Sequence, residues 1–492
     1  MPTRTNPQQI SECVSQTSEP TTTSEHKNTG HYPLVIIGGG PAGLAAAYES
    51  AKRGMRTLVL EEREKVGGIA RTEMYKDYLF DVGGHRFLTK DQTIGKLWSD
   101  MLGNEFLKIS RLTSIYYRGK YFKYPIELLD VIRKMGAVES VIAGLSYLNA
   151  KLRPLPAEET FEQWILNRFG SRLYNAFFKT YTEKVWGIPC DKIQAEWASQ
   201  RIRGLSVISA LKNAIFGTNG IKTLSTEFDY PRLGPGMMWE GFKNEVECRG
   251  GEMLLNTKVT RFNSANGRIV SVEAHNGKGE YTICGDSFFS SVPLRSLIRL
   301  LDPPVPSEVS EAAEKLRYRA FMIVALVVDQ PKVFPDNWIY VHSQHVKVGR
   351  IQNFKNWSPH MVPDSSRTCL GMEFFCDEGD DLWSMPDKEL IALASKELEI
   401  LGLAKAKDVE DGCVVRQPDA YPVYDPGYRE KLLVIRRFLD GIENLQTIGR
   451  NGMHRYNNMD HSMLTGILAV RNIVGEKHDL WQVNTDSSYN ES

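Results

Sequence analysis

Apolar runs, glycine turns and helical stretches alternate at the beginning of the chain. An apolar run over 33–37 is followed by a glycine-rich turn over 38–43, a stretch of helical composition over 44–53 and a second apolar run over 57–60. Short apolar runs bounded by glycine are typical of buried strands, so this order predicts a strand, a turn, a helix and a second strand. Together they predict a βαβ unit, the opening element of many nucleotide-binding folds.

The pattern changes further along the chain. Residues 88–230 contain amphipathic helical stretches with many aromatic side chains, whereas residues 231–293 return to apolar runs separated by turns. A long apolar run over 320–328 predicts a buried strand within a mixed section. Residues 445–474 have the pattern of a strand, a loop and a helix.

We therefore predict an α/β protein in which a discontinuous Rossmann-like domain carries an inserted mixed α+β substrate domain. The Rossmann-like domain is predicted to comprise residues 31–87, 231–294 and 440–476, and the substrate domain to comprise a helical insertion over 88–230 and a mixed strand and helix part over 295–439. Polar residues dominate both ends of the chain, so we expect disordered tails over 1–30 and 482–492.

Composition narrows the classes of partner and compartment. A chain of 492 residues is long enough for two or three structural units. Lys plus Arg and Asp plus Glu both number 60, so nothing favours the capture of nucleic acid or of an anionic membrane. No run of about 18 apolar residues predicts a spanning helix, and no apolar segment near Met1 predicts a secretory signal. We expect a soluble, cytoplasmic protein.

The cysteines and histidines show no metal-binding pattern. Seven cysteines are scattered without a CxxC pair, which is typical of a reducing compartment. His342 and His345 form an HxxH pair, but no cysteine or carboxylate nearby completes a set of metal ligands. We expect no metal site.

The glycine-rich turn fits the pattern GxGxxG. Gly38 permits the tight turn, Gly40 allows a pyrophosphate to approach the backbone, and Gly43 allows the helix to pack on the strand. Glu61 follows the second apolar run and can accept hydrogen bonds from a ribose diol, which argues against a 2′-phosphate. The residues predicted to bind an adenosine diphosphate are Gly38, Gly40, Pro41, Ala42, Gly43, Glu61 and Glu62.

Further segments resemble the FAD-binding motifs of the amine-oxidase and protoporphyrinogen-oxidase superfamily. Residues 66–72 (VGGIART) resemble its extended FAD motif, and the resemblance implies that Gly68 and Arg71 contact the pyrophosphate and that Val259 lies beside the adenine. Residues 447–450 resemble its final strand, and Asp460 is predicted to cap the last helix and bind the ribityl chain. This end of the predicted FAD site comprises Gly449, Arg450, Asp460, His461, Ser462 and Met463.

Within that superfamily, short segments resemble the UDP-galactopyranose mutases. Residues 81–87 (DVGGHRF) are similar to their GGH loop, which implies that Gly83, Gly84 and His85 lie beside the isoalloxazine. Residues 181–187 (YTEKVWG) are similar to a segment whose tyrosine and tryptophan lie against the nucleotide. Taken alone, a histidine after two glycines is more often a turn residue, and such aromatics are more often helix core. Arg86 departs from the family, which has an apolar residue at this position.

The remaining mutase-like segments carry arginine and tyrosine. Trp197 with Arg201 matches a WxxxR pattern, residues 350–359 resemble a segment whose arginine holds the substrate diphosphate, and residues 450–462 resemble the end of the mutase sequence. The residues predicted to bind substrate are Tyr181, Trp186, Arg201, Trp338, Tyr340, Arg350, Tyr421, Tyr456 and Asn458. The predicted catalytic residues are His85, Arg201 and Arg350. Each arginine, taken alone, is as often a solvated charge or half of an ion pair.

The resemblance implies a particular chemistry. It implies a reduced FAD whose N5 forms an adduct with a nucleotide sugar, so that the ring opens and recloses between pyranose and furanose without net redox change. NADPH or NADH would be the possible reductant, and the partner would be a small nucleotide diphosphate sugar, with an oligomer possible. Arginines suit this task because their charged, forked donors match a diphosphate.

Two other classes stay open. An FAD-dependent oxidase or desaturase, similar to protoporphyrinogen oxidase, would act on an apolar substrate and would need an apolar tunnel but no paired arginines. A binding protein that holds FAD for structure alone would leave the GGH loop and the arginines without a role. Incubation with UDP-sugars and dithionite, followed by chromatography for a ring isomer, distinguishes the three classes.

Overall fold

Two large β-sheets organise the part of the chain that the computed structural model describes, residues 30–124, 126–195 and 226–485. The strands are β1 (His31–Ile37), β2 (Thr57–Leu60), β3 (Thr72–Tyr75), β4 (Tyr78–Asp81), β5 (Phe106–Ser110), β6 (Thr113–Tyr117), β7 (Lys120–Lys123), β8 (Glu227–Pro231), β9 (Glu252–Leu254), β10 (Lys258–Ala265), β11 (Arg268–Asn276), β12 (Gly279–Ser290), β13 (Leu301–Asp302), β14 (Tyr318–Val328), β15 (Trp338–Val341), β16 (Arg350–Asn353), β17 (Thr368–Cys376), β18 (Val409–Pro422) and β19 (Leu445–Thr447).

The helices are α1 (Pro41–Lys52), α2 (Gln92–Leu102), α3 (Leu128–Met135), α4 (Ala137–Leu152), α5 (Phe161–Tyr174), α6 (Thr180–Trp186), α7 (Gly236–Cys248), α8 (Leu294–Leu300), α9 (Ser307–Glu314), α10 (Phe354–Trp357), α11 (Asp387–Ile400), α12 (Tyr428–Leu439) and α13 (Met459–Ile473), with a π-helical turn over Asn175–Lys179. Across the described ranges, no helix is long and apolar enough to cross a membrane.

The first sheet contains the predicted βαβ unit. Its eight strands run β13-β10-β11-β12-β1-β2-β9, with β19 beside β12. β1 is parallel to both β2 and β12, and β12 is parallel to β19, so the carboxyl ends of four strands meet at one edge. Open α/β sheets bind their ligands at this edge. The predicted α/β fold with a Rossmann-like part is confirmed.

Helix α1 begins earlier than the pattern predicted. Its first residue is Pro41, whereas the helical composition indicated a start near 44. Proline is suited to the first helical position because its ring already holds φ near the helical value and its missing N–H would have no partner there. The predicted strand over 57–60 is β2.

Small residues allow α1 to approach its neighbours closely. A Cβ added at Gly43 would lie 1.9 Å from the carbonyl oxygen of Gly38, and one added at Gly466 in α13 would lie 2.2 Å from the carbonyl oxygen of Ala42. The backbone of α1 therefore packs directly on the turn after β1 on one side and on α13 on the other. A side chain at either glycine would separate these elements.

The second sheet carries the long apolar strand. Its seven strands run β18-β14-β17-β16-β15-β6-β7. In β14, Phe321 and Ile323 face one hydrophobic core and Met322 and Val324 face another. Both faces of β14 are covered, which explains why its sequence is continuously apolar instead of alternating.

The prediction of a helical insertion over 88–230 was wrong in part. The segment contributes the hairpin of β6 and β7, and β6 extends the second sheet by pairing in parallel with β15. The hairpin turn is Arg118-Gly119, and both residues have positive φ, 50° and 75°. A two-residue turn of this kind matches the twist of the flanking strands. The sequence over 113–123 therefore contained the signal of a hairpin, which its many aromatic residues obscured.

Three helices assigned to the substrate domain pack on the first sheet instead. Leu297 in α8, Val309 in α9 and Ile435 in α12 are buried in the same core as Val35 of β1. We therefore propose that the substrate part begins near Tyr318, at the start of β14, and that α12 belongs with the cofactor part.

The close contact of α1 with α13 gives a stability prediction. Gly466→Ala should lower the free energy of unfolding by about 2 kcal/mol or more, because a methyl group there overlaps the backbone of α1. Gly144→Ala is the matched control, since Gly144 also lies within a helix but has no heavy atom within 4 Å of the added Cβ. That variant should be unchanged or about 1 kcal/mol more stable. Chemical denaturation measures both, and equal behaviour of the two variants would contradict the packing described.

Candidate active site

A cavity of about 1300 Å³ opens between the two sheets at the carboxyl ends of β1, β2 and β12. Ligand pockets are usually about 300–1,000 Å³, so this one has room for more than one ligand. The predicted site residues that line it are Gly38, Gly40, Pro41, Ala42, Glu61, Glu62, Gly68, Gly83, Gly84, His85, Tyr181, Trp186, Val259, Trp338, Tyr340, Arg350, Tyr421, Gly449, Arg450, Tyr456, Asn458, Asp460 and Ser462.

A few predicted residues are placed elsewhere. Gly43, Arg71, His461 and Met463 are not part of the cavity wall. Met463 lies in a hydrophobic core, where its sulfur accepts a hydrogen bond from the Trp98 indole at 3.1 Å. Trp197 and Arg201 lie outside the described residues.

Two glycine turns form one end of the cavity. A Cβ at Gly68 would lie 3.2 Å from the Cα of Gly40, and the Gly67 N–H donates to the Gly39 carbonyl at 2.8 Å. Next to them, α1 begins at its N-cap Gly40 without a capping side chain among the described residues. Unpartnered N–H groups at a helix start, beside backbone that no Cβ covers, are suited to a pyrophosphate. The residues present therefore fit the ADP half of FAD.

Glu61 shapes the same turn. Its carboxylate accepts from the Gly39 N–H at 2.6 Å and from the Arg63 N–H at 2.9 Å. Burial raises the pKa of Glu61, and these two hydrogen bonds oppose the rise. Glu61 thus fixes the glycine loop while it lines the cavity at the end of β2.

Arg71 makes several hydrogen bonds within the chain. Its guanidinium donates to Glu73 at 2.5 Å, to the Gly68 carbonyl at 2.8 Å and to Gln417 at 2.8 Å, and the residue is 2% exposed. Burial lowers the pKa of Arg71, although Glu73 opposes this. Arg71 therefore supports the Gly68 turn through its hydrogen bond to the Gly68 carbonyl, and its contact with a pyrophosphate stays a prediction.

The N-cap of the last helix lies two residues earlier than predicted. Asn458, not Asp460, is the N-cap of α13, and it forms a capping box with His461, whose Nδ1 accepts from the Asn458 N–H at 3.3 Å. Asp460 stands in the first turn and accepts from the Thr89 hydroxyl at 2.9 Å. Burial raises the pKa of Asp460 to about 6. The prediction of Asp460 as the cap was wrong because a cap needs extended backbone, which Asn458 has.

The GGH loop meets Arg350 at the inner end of the cavity. A Cβ at Gly83 would lie 3.7 Å from His85 Cε1 and 4.0 Å from Arg350 Nη2. The Nδ1 atom of His85 is buried and has no hydrogen-bond partner among the described residues. Burial, together with the charges of Arg450 and Arg350, lowers the pKa of His85 to about 3. The imidazole is therefore neutral at physiological pH.

Arg350 is one half of a buried ion pair. Its Nη2 lies 2.6 Å from Oε2 of Glu373, and its Nε donates to the same oxygen at 2.8 Å. Gln352 donates to the other oxygen of Glu373 at 2.9 Å and accepts from the Trp357 indole at 3.1 Å. Glu373 is fully buried. No motif indicated Glu373, since it reaches Arg350 through the register of β16 on β17, in which the two residues are opposite each other.

Arg450 carries a charge that no described carboxylate neutralises. Its guanidinium donates to the carbonyl of Asn457 at 2.9 Å and to that of Ala420 at 3.4 Å. It lies 4.3 Å from the ring centroid of Tyr456, which stacks on Tyr421 with centroids 5.7 Å apart. Two guanidinium groups and two phenols therefore line one part of the cavity.

Aromatic and apolar side chains form another part of the cavity wall. Tyr181 stacks on His342 with centroids 5.1 Å apart and meets the edge of Tyr340 at 5.2 Å. His342 is buried, and across the described residues no group of three potential ligands could hold a metal ion. Sequence reasoning missed the apolar part of this wall, which comprises Ile115, Ile126, Phe177 and Phe178.

Three elements meet at one cavity: the glycine-rich βαβ unit, the second glycine turn and the start of α13. This arrangement is typical of α/β proteins that bind a dinucleotide such as a flavin cofactor. Residues 41–474 match the sequence profile of the flavin containing amine oxidoreductases, and the chain belongs to this family. The predicted superfamily is confirmed, and the family implies FAD as the cofactor of an enzyme.

The compared proteins include a mutase and an oxidase. A probable UDP-galactopyranose mutase from Klebsiella pneumoniae is 26% identical over 166 residues, which cover 33% of this chain and 43% of that protein. The alignment thus spans less than half of this relative. A crystal structure of reduced UDP-galactopyranose mutase has a TM-score of 0.81 at 19% identity and covers 93% of this chain and 96% of its own. A putative protoporphyrinogen oxidase from Exiguobacterium sp. 255-15 has a TM-score of 0.69 at 18% identity, with 91% and 99% covered.

The position of Glu61 gives a prediction about the cofactor. Glu61→Arg should release FAD, because it removes the acceptor of the Gly39 N–H and places a cation in a buried position. Glu61→Gln should hold FAD more weakly than wild type but better than Glu61→Arg, since the amide retains one acceptor oxygen. Glu64→Gln, at an exposed position of the same loop, is the control. Flavin absorbance per protein after gel filtration measures the effect, and equal flavin content in all four proteins would contradict this role of Glu61.

Proposed function

We propose that the chain interconverts the pyranose and furanose forms of a sugar carried on a nucleotide diphosphate. The observation that carries the proposal is the meeting of His85, two guanidinium groups and a stacked tyrosine pair in one cavity with the glycine turns that fit FAD. The likeness to UDP-galactopyranose mutases, at 26% identity over part of the chain and in fold, supports it.

The cationic part of the cavity would bind the diphosphate. Arg450 and Arg350 supply charged donors, and the hydroxyls of Tyr421 and Tyr456 supply neutral ones. Donors that are already in place stabilise the charge that develops as the bond between the sugar and the diphosphate breaks. Because Glu373 neutralises much of the charge of Arg350, Arg450 is the main source of net positive charge among these four residues. Reduced FAD, when bound, would supply the electron-rich centre that this exchange requires.

His85 would act as a neutral group. Its lowered pKa keeps a proton on one ring nitrogen at physiological pH, so the imidazole can donate one hydrogen bond and accept another without adding charge. His85 lines the cavity, so its imidazole would meet a cofactor or sugar atom there. We assign His85 to the orientation of these groups. Arg201, which resemblance also placed here, stays a prediction from sequence.

An oxidoreductase acting on an apolar substrate is the second candidate. The apolar wall formed by Ile115, Ile126, Phe177 and Phe178 favours it, as does the likeness in fold to a putative protoporphyrinogen oxidase. Such a substrate would leave the charge of Arg450 and the Arg350–Glu373 pair inside the cavity without a ligand, and buried charge without a partner is costly.

The reaction itself separates these candidates. With dithionite-reduced enzyme, one of a panel of UDP-pyranoses should give a product of the same mass and a different retention time in anion-exchange chromatography. The oxidised enzyme should give none, and turnover should consume no reductant in proportion to product. Consumption of oxygen or NADPH equal to the product formed would overturn the proposal and favour the oxidoreductase.

The ion pair of Arg350 determines how its role is tested. Arg350→Ala alone should lower the free energy of unfolding by about 3–5 kcal/mol, because it leaves the Glu373 carboxylate buried without a partner. Arg350→Ala with Glu373→Gln should recover most of this loss and retain FAD, yet turnover should stay lower by about 10² or more if Arg350 stabilises the diphosphate.

Glu373→Gln alone is the control for the double variant, and Arg350→Lys should recover part of the activity because an ammonium cannot reproduce the forked contact. Thermal midpoint, flavin absorbance and isomer formation are measured on the same preparations. A stable double variant with wild-type turnover would remove Arg350 from the diphosphate site.

A further inference from the structure

Arg86, which follows the GGH loop, and Arg111 have no counter-charge within the described part of the chain. The guanidinium of Arg86 lies 5.3 Å from the ring centroid of Trp338, and that of Arg111 lies 6.0 Å from the ring of Tyr124. Neither guanidinium takes part in a hydrogen bond or ion pair with any residue in the described ranges. We call Arg86, Arg111 and the rings of Trp338, Tyr340 and Tyr124 the outer arginine cluster.

The rings join the two arginines into one site. Tyr124 meets Tyr340 edge-on with centroids 5.3 Å apart, and Tyr340 meets Trp338 in the same way at 6.3 Å. Arg86 and the three rings line the cavity, whereas Arg111 is not part of its wall. Tyr340 also meets the edge of Tyr181, with ring centroids 5.2 Å apart, so the outer arginine cluster adjoins the residues proposed to bind substrate.

Arg111 is enclosed in a way that a solvated surface charge is not. Its Nε and Nη1 atoms are buried and have no hydrogen-bond partner among the described residues. Burial lowers the pKa of Arg111, Arg86 lowers it further, and the groups that oppose the shift are the phenols of Tyr124 and Tyr340. No carboxylate contributes. A guanidinium buried in this way is destabilising where its donors have no acceptor.

We propose that Arg86, with the charge of Arg111 beside it, binds an oxyanion, a carboxylate or a phosphate, carried by the substrate in addition to the group held at Arg450. A planar guanidinium is suited to either oxyanion because it offers two parallel donors. The proposal rests on the proposed function in naming a nucleotide sugar as the carrier, and it narrows the substrate to one with two anionic groups. Arg86 is also the position at which the sequence departs from the mutase pattern.

Matched ligands test the proposal on the FAD-loaded enzyme. UDP-galactose and UDP-galacturonate differ by one carboxylate on the sugar, and inorganic phosphate carries no sugar. Affinities are measured by calorimetry for wild type, Arg86→Gln, Arg111→Gln and the double variant. Arg133→Gln is the control, because Arg133 is exposed on α3 and has no ion pair with a described residue.

Two results support the subsite and identify its occupant. If the carboxylate of the sugar occupies it, wild type should prefer UDP-galacturonate about tenfold or more, and either glutamine variant should abolish this preference. If a phosphate occupies the subsite, the variants should bind both nucleotide sugars about tenfold more weakly than wild type does. In each case Arg133→Gln should bind as wild type does.

The opposite results are equally clear. Wild-type affinities in the double variant, for both nucleotide sugars and for inorganic phosphate, would overturn the proposal. A lower thermal midpoint with unchanged affinity would also overturn the proposal, because Arg111 would then be a structural residue. Arg111→Lys then shows whether its charge alone supports that stability. If neither nucleotide sugar binds but phosphate binding still depends on Arg86 and Arg111, the subsite stands and the proposed function fails.

Discussion

The cavity depends on a close approach of backbone to backbone at the start of α1. The turn after β1 touches α1 at Gly43, the second glycine turn touches it at Gly40, and α13 touches it near Ala42. Side chains at these contacts would separate the elements and move the N–H groups that fit a pyrophosphate. Because Glu61 accepts from the Gly39 N–H, the same loop is also held from the end of β2. The cofactor half of the site is therefore built mainly from main chain.

The other half of the cavity is built from charge and aromatic rings. Its guanidinium groups differ in how they are compensated: Arg350 has a buried carboxylate, Arg450 has two carbonyls and two rings, and Arg111 has no polar partner among the described residues. These differences decide which of them can attract an anion. A compensated guanidinium contributes directed donors with little net charge, whereas an uncompensated one contributes both. Arginine count alone, which sequence provides, does not separate these cases.

The elements predicted from sequence were those whose signal is local. The βαβ unit and the long strand β14 follow from runs of adjacent residues, and so does the helix after Asn458, although its cap was assigned to the wrong residue. The contacts missed are between residues far apart in the chain. Arg71 reaches Gln417 across 346 residues, and β6 joins the second sheet through β15. Glu373 was missed for the same reason, since only the register of β17 on β16 places it opposite Arg350.

The distribution of charge along the cavity also bears on which ligand it accepts. An apolar substrate would fill the wall near Phe177 and Ile115 but would remove water from Arg450 and Arg86 without supplying a counter-charge. Desolvation of each unpaired charge is costly, and the cost rises with the number of such groups. A ligand with an apolar or aromatic part between anionic groups meets both requirements, because its rings can stack on the tyrosines while its oxyanions reach the arginines. The apolar wall alone would favour an apolar ligand, and the arginines alone would favour an anion. Together they favour a single molecule that has both parts.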